Sequence, residues 1–237
     1  MQNLTQTAGK RFFLSSLVVC GALALCQCST VTQAGDMKLP EPQLKGTVSV
    51  EEALSSRRSC RAYQDRALSL AQLSQLLWAA DGVTGRKYNF HLKTAPSAGA
   101  LYPLDLYAVV GQGTVEGLAP AVYHFTPVGH GLAQTKEGDQ RQDLVQAAMG
   151  QKWIAKAPVI VVITGEYARC MRKYGQRGVM YTHIEAGHVG QNLFLQAEAL
   201  GLKAGIVGAF NPQGVSQVLS LPKDHEPLLL MPAGYGK

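Results

Sequence analysis

Thr94-Ala95-Pro96-Ser97-Ala98-Gly99-Ala100-Leu101-Tyr102-Pro103-Leu104 separates two fold classes. Its first half, Ala95 to Gly99, looks like a serine nucleophile elbow that lacks the leading glycine. Such an elbow needs a sharp strand–Ser–helix turn that lifts the hydroxyl clear of the sheet. Here Leu101-Tyr102-Pro103 follows, and then Leu104 to Val110 alternates like a strand. A loop that enters a strand is the reverse order, so serine hydrolysis falls away.

The flanking sequence fits a mixed fold. Upstream, Ser49-Val50-Glu51-Glu52 makes a capping box and predicts a short helix. A second helix starts near Ser69, with Leu70, Leu73, Leu76, Leu77 and Ala80 on one face, and stops at Asp81-Gly82. Downstream, Ala121 to Phe125 reads as a strand turned back by Gly129 to Gly131. Gln140 to Met149 is helical, and Val159 to Thr164 is a continuous apolar run typical of a buried strand. The longest helical pattern, Val179 to Leu200, ends at Gly201. A short strand at Ala204 to Val207, a helix opened by Asn211-Pro212 and a strand at Leu228 to Met231 complete the chain. Strands and helices mix without a strict βαβ rhythm, which predicts an α+β fold with a mainly antiparallel sheet flanked by helices.

Composition sets the frame. The chain has 237 residues, 46% of them hydrophobic and 16% charged, which excludes disorder and allows one α/β-sized core. Lys10-Arg11 precede an apolar run from Phe12 to Cys26, then small and polar residues. This is signal-peptide order, and the run is shorter than the ~20 residues of a spanning helix. Thr32-Gln33-Ala34 offers a cleavage site before Gly35. Residues 1–34 are therefore read as a leader, 35–47, with Pro40 and Pro42, as a tether, and 48–237 as the folded domain. Cys26 and Cys28 close the apolar run and open a lipoprotein reading, although Leu25 and Gln27 stand where a small residue usually precedes a lipidated cysteine. Gly9-Lys10-Arg11-Phe12-Phe13-Leu14 resembles a twin-arginine leader with Lys for the first Arg. The expectation is an exported, periplasmic protein, soluble or lipid-anchored, attached to a membrane through the leader alone.

The formal charge of +6 suits an anionic ligand such as a phosphate, and no zinc finger or RNA-binding signature supports nucleic acid. Gly111-Gln112-Gly113 has Glu116 where a dinucleotide fingerprint needs its third glycine, so it reads as a turn. His183 and His188 are five apart on a helix and diverge by roughly 140°. Glu185 and His188 share a face, but a di-iron site needs a second Glu-x-x-His. No metal is expected. Outside the leader only Cys60 and Cys170 remain, too few for a disulfide framework.

Arg57-Arg58-Ser59-Cys60-Arg61-Ala62-Tyr63 gathers three guanidinium groups around a hydroxyl. Guanidinium grips phosphate oxygens through paired, charge-assisted hydrogen bonds. The same pattern is also that of a solvated basic stretch. After a short helix, this run resembles the opening of the nitroreductase-like flavoproteins. Thr94 to Leu104 resembles the central motif of their SagB subgroup, the azoline-oxidising dehydrogenases. Lys173-Tyr174-Gly175-Gln176-Arg177-Gly178, then Glu185-Ala186-Gly187-His188-Val189-Gly190-Gln191-Asn192-Leu193, resemble the next two motifs. Gly205-Ile206-Val207-Gly208-Ala209-Phe210-Asn211-Pro212, Leu221-Pro222 and Pro232-Ala233-Gly234-Tyr235 follow in order, across about residues 48 to 236.

The resemblance implies an intertwined α+β homodimer with FMN at each subunit interface and the Val179 helix in the dimer core. By motif position, Arg57, Arg58, Ser59 and Arg61 would hold the FMN phosphate and ribityl end. Pro96, Ser97, Ala98 and Ala100 would line the flavin across the interface. Gly205, Ile206, Val207 and Gly208 would approach the ring, where small residues let backbone come close. Many relatives carry a basic segment after the final Gly-Tyr that touches the phosphate; Lys237 stands in its place. In the azoline-oxidising relatives a Lys-Tyr pair assists proton removal, and Lys173-Tyr174 match it; the other reading of the pair is a loop that merely packs.

The flavin would carry the hydride and the protein would orient it. Ping-pong turnover follows, between a small organic or peptide-derived substrate and a separate electron acceptor. Outside the cytoplasm NAD(P)H should be scarce, which favours a dehydrogenase or oxidase over an NAD(P)H-dependent nitroreductase. A non-catalytic, flavin-binding exported protein is the remaining alternative.

Overall fold

The structure is a computed structural model, and it describes residues 37–237. The leader expected at 1–34 lies outside the described residues. Helix α1 (Val50–Ser56) starts as its capping box requires: the Glu52 N–H donates to Ser49 Oγ at 3.1 Å, and the Ser49 N–H donates to the Glu52 carboxylate at 2.7 Å. Ser69 and Gln72 make the same reciprocal pair at the start of α2 (Leu70–Asp81). The remaining helices are α3 (Arg141–Ala147), α4 (Tyr167–Tyr174), α5 (Arg177–Ala199) and α6 (Pro212–Leu219). Asn211 caps α6, accepting from Gly214 N–H at 3.0 Å.

Nine strands form among the described residues: β1 (Met37–Lys38), β2 (Val83–Lys87), β3 (Phe90–Lys93), β4 (Leu104–Val110), β5 (Ala121–Thr126), β6 (Gly131–Glu137), β7 (Val159–Gly165), β8 (Lys203–Ala204) and β9 (Glu226–Gly234). Seven of them make one sheet in the order β1-β6-β5-β4-β7-β9-β8, with every pairing antiparallel. β2 and β3 pair as a separate hairpin.

Alternation on the central strands decides which helices cover which face. Val159, Val161 and Ile163 of β7, with Leu104, Leu106, Ala108 and Val110 of β4, meet Leu73, Leu76 and Leu77 of α2 and Val189 and Leu193 of α5. Ile160 and Val162, with Tyr107 and Val109, meet Leu144 and Val145 of α3 and Val215 and Leu219 of α6. A sheet buried on both faces explains why β7 reads as an unbroken apolar run although it is antiparallel. The expected α+β fold with a mainly antiparallel sheet flanked by helices is therefore what forms.

Three details differ from expectation. The segment read as a tether is docked along residues 37–43. Met37 and Lys38 pair with Leu132 and Gly131, and Leu39 is buried. The Pro40 carbonyl accepts from Ser74 Oγ at 2.6 Å, and Gln43 and Gln75 exchange two hydrogen bonds. The hairpin β2–β3 alternates only over Phe90-His91-Leu92-Lys93, too short a run to be picked out, and presents Tyr88, Phe90 and Leu92 to solvent. The strand expected over Ala204 to Val207 shortens to β8 plus one bridge from Val207 to Leu230. No helix among the described residues is long and apolar enough to cross a membrane.

Candidate functional site

Two patches carry the residues singled out by sequence. The first joins the arginine run to the segment after β8. Ser59 bridges to Ala204, and the Cys60 N–H donates to the Ala204 carbonyl at 2.8 Å. A Cβ on Gly205 would lie 2.5 Å from the Cys60 carbonyl oxygen and 2.8 Å from the Trp153 ring, so glycine is required for this approach. The chain then alternates. Gly205 and Val207 are buried and donate to the Pro232 and Leu230 carbonyls at 2.8 and 2.9 Å. Ile206 and Gly208 are exposed, and their N–H groups have no protein partner among the described residues. Nothing stands within 4 Å of where a Gly208 Cβ would sit.

The guanidinium groups of this patch are unneutralised. Arg57 lies over the Phe194 ring at 5.1 Å, and Arg61 lies 5.9 Å from the Trp153 ring centre. Arg58 donates only to the carbonyls of Ser55 and Arg57. None of the three pairs with a carboxylate among the described residues. The Lys237 N–H donates to the Ala62 carbonyl at 3.1 Å, which brings the chain end beside Arg61. Arg61, Arg66, Arg141, Lys156 and Lys237 share a cavity of about 580 Å³.

The second patch is built around the stretch Thr94 to Leu104. A single 3-10 turn covers Ala98–Ala100, and the backbone is left-handed at Gly99 (φ 63°), Ala100 (φ 54°) and Tyr102 (φ 45°). Two of these carry side chains, so the loop stores strain, which sites of chemistry commonly do. Ser97 Oγ ties the loop together by accepting from the Tyr102 N–H at 2.9 Å. A Cβ on Gly99 would fall 2.7 Å from the Tyr174 hydroxyl and 3.0 Å from Lys173 Nζ. Lys173 and Tyr174 therefore sit on the central motif from the last turn of α4, rather than on a packing loop. Gly175 (φ 56°) then turns the chain into α5.

Arg169 fixes α4 in that place. It donates to the Tyr102 carbonyl at 3.1 Å and pairs with Asp105 of β4 at 2.7 Å and with Glu166. His124 approaches the same Asp105 at 3.2 Å, and His225 lies 3.7 Å away. Burial works to raise the Asp105 pKa, but the His124 hydrogen bond and the Arg169 charge outweigh it and hold the carboxyl below its usual range.

Beneath the loop lies a buried carboxyl. Glu185 of α5 is 2% exposed, and neither of its oxygens has a hydrogen-bond partner of normal geometry among the described residues. Burial and the Asp81 charge push its pKa up to about 7, while the nearby Ser97 hydroxyl and Lys93 only partly oppose the rise. Asp81 is also buried and is pushed up to about 6 despite its pairing with Lys93.

Helix α5 runs under both patches. Glu185 lies below Ser97 and Phe194 below Arg57. Nine residues of helix separate them, about 14 Å. No described hydrogen bond or ion pair joins the two patches. The unneutralised guanidinium groups, the outward N–H groups and the open space at Gly208 fit a phosphate and the polar edge of a flat ring. Gly205 and Val207 support this surface from behind, whereas Ile206 and Gly208 form it.

Sequence reasoning passed over Glu185, Asp81, Lys93 and Arg169. The pairing of Glu185 with His188 by spacing also fails, because Glu185 faces the core and His188 faces solvent. No group of residues that would hold a metal occurs among those described. Cys60 and Cys170 are both free thiols. Gly111 to Thr114 form a turn, with Thr114 Oγ1 closing on Gly111.

Residues 54–235 match the nitroreductase family profile. A Methanocaldococcus jannaschii protein whose name places it among nitroreductases is 40% identical over 198 residues, covering 84% of this chain and 96% of its own. The Escherichia coli microcin B17-processing protein McbC is 26% identical over 130 residues, or 53% of this chain and 47% of its own. A nitroreductase-named crystal structure from Ralstonia eutropha JMP134 superposes with a TM-score of 0.72 at 28% identity, covering 87% of this chain and 91% of that one. The chain belongs to the nitroreductase family, a family of oxidoreductases.

Proposed function

We propose that the chain is an FMN-dependent dehydrogenase or oxidase of the SagB type, working as a homodimer outside the cytoplasm. The observation that carries this reading is the seating of Lys173 and Tyr174 on Gly99 of the central motif. A family member that only bound flavin would have no need to place an ammonium and a phenol on the strained loop. The likeness to McbC, a microcin-processing protein, points to a small organic or peptide-derived substrate. Arg57, Arg58, Ser59, Arg61 and Lys237 would hold the phosphate and ribityl end. Ile206 and Gly208 would donate N–H groups to the ring edge. The flavin, once bound, supplies hydride transfer. Pro96, Ser97, Ala98 and Ala100 would cover it from a partner copy, and Tyr174 with Lys173 would handle the substrate proton.

The 14 Å between the patches supports a shared site, since one chain would then give its arginine patch to one flavin and its loop to another. Met180 and Ile184, exposed on the outer side of α5, offer apolar surface for the second copy. An NAD(P)H-dependent nitroreductase is the second reading, favoured by the name of the M. jannaschii relative. Export, drawn from the leader, argues against it.

The test is an absorbance spectrum of the purified protein with FMN, followed by anaerobic reduction. The proposal expects stable flavin absorbance and bleaching by an organic donor in the absence of NAD(P)H. No flavin binding sinks the proposal, bleaching by NAD(P)H alone selects the nitroreductase reading, and binding with no turnover by any donor selects a carrier.

A further inference from the structure

Glu185 has no task in the chemistry described so far, yet keeping it is costly. A buried carboxyl with unpartnered oxygens loses hydration that nothing replaces. The groups that face it are the Ser97 hydroxyl from the loop, Asp81 from α2, Lys93 from β3, Tyr102 and the Cys170 thiol from α4. Lys93 is the sole cation among them, and it is already committed to Asp81. Glu185 therefore has no counterion, and the neutral acid is the form its surroundings favour.

Ser97 is the way out. Its oxygen is held by the Tyr102 N–H at 2.9 Å, while the hydroxyl hydrogen and a second lone pair remain free. A hydroxyl in that state can take a proton on one side and release its own on the other. On its solvent side the loop meets Lys173 and Tyr174. Ser97 thus stands between an enclosed acid and the surface on which the chemistry is proposed to occur.

We propose that Glu185 stores the proton that crosses this site in each turnover, exchanging it with the flavin pocket through the Ser97 hydroxyl. The inference rests on the FMN-dependent reading above. In the first half-reaction an organic donor loses a hydride from carbon and a proton from its N–H or O–H. With FMN bound to accept the hydride, the proton would pass through Ser97 to the Glu185 carboxylate. In the second, a two-electron acceptor takes the hydride and the stored proton, which returns the carboxylate. One proton and two electrons enter and leave in each cycle. Glu185 acts through Ser97 and touches no reacting atom, so it is a positioning residue.

The first measurement needs no flavin. Infrared titration of the apoprotein should show a protonated carboxyl band that is lost near pH 7 and is absent from Glu185→Gln. The second uses FMN-loaded protein, photoreduced in the presence of a pH-indicator dye. Wild type should show proton uptake that changes by up to one per flavin across that pH. Glu185→Gln should bind FMN as wild type does and lose the step. Its reoxidation rate should fall about a hundredfold and become flat with pH. Ser97→Ala should keep a titrating Glu185 carboxyl, moved to higher pH by loss of the opposing hydroxyl, and still slow proton exchange, which guards against a Glu185→Gln protein that folds poorly. Equal rates of proton uptake and equal pH profiles in wild type and Ser97→Ala overturn the inference. Absence of the carboxyl band from the wild-type apoprotein overturns it as well. Failure of wild type to bind FMN strikes the FMN-dependent reading instead, and the infrared result then stands alone.

Discussion

The arginine patch and the loop patch lie on the same helix and are built on opposite principles. Around Arg57 to Arg61 the charges are exposed or half-buried, unpaired and of one sign, and the backbone that supports them is ordinary. Around Ser97 to Tyr102 the backbone is left-handed at three positions, and the charges beneath are buried, paired or neutralised. The first arrangement concentrates charge of one sign, and a bound anion would relieve that repulsion. The second is already complete within one chain and holds protons and geometry instead. On the proposed function, binding and chemistry are separated along α5.

If that division is right, the two patches should respond to different perturbations. The largest expected effect is on stability against pH. The folded Glu185 carboxyl has its pKa raised from the usual 4.5 to about 7, so the native state binds more protons than the unfolded chain between those values. Its contribution is present below the lower value and lost as pH rises to the upper one, roughly 3 kcal/mol in all. Urea unfolding at a series of pH values should show Glu185→Gln gaining on wild type over this window. A constant gap would mean that Glu185 is not titrating there.

Arg169→Met should come next. It strands Asp105 and Glu166 and frees the turn that carries Lys173 and Tyr174. Arg169 is 26% exposed, so solvent screens part of the loss, and a fall of about 2 kcal/mol is expected. Turnover should fall further than the FMN affinity, and equal losses in both would show that the patches are not separable. Arg57→Ala should do the reverse, weakening FMN roughly tenfold, or about 1.4 kcal/mol, in a fluorescence-quenching titration. Its unfolding midpoint should not move. Gly99→Ala should cost about 1 kcal/mol of stability, as a left-handed alanine does. Here the informative readout is turnover, because the new methyl displaces the Tyr174 hydroxyl. Unchanged turnover would remove Tyr174 from the chemistry.

Legibility in the sequence followed the kind of interaction. The arginine run, the Pro96–Ala100 motif and the Lys173-Tyr174 pair are contiguous, so a linear reading finds them. The central strands and α5 were legible because hydrophobic period alone specifies them. Glu185, Asp81, Lys93 and Arg169 lie far apart in the chain and acquire meaning only when α2, β3, α4 and α5 converge. Spacing on α5 even paired Glu185 with His188, because a three-residue step says nothing about which edge of the shared face is buried. The hairpin β2–β3 escaped for a simpler reason: Val83 to Lys87 offers no period to count, and Phe90 to Lys93 alternates over only four residues. Docking of residues 37–43 was missed because prolines suggested a free linker, whereas Pro40 contributes its carbonyl to Ser74.

That docking has a consequence for where the chain enters the sheet. β1 is the outermost strand on one side of the sheet and β8 the outermost on the other. Six strand spacings separate them, roughly 29 Å. The arginine patch grows from β8, while whatever precedes Met37 must enter at β1. An anchor or carrier attached upstream would hold the protein by its far rim, like a boat tied at the stern with its bow left clear.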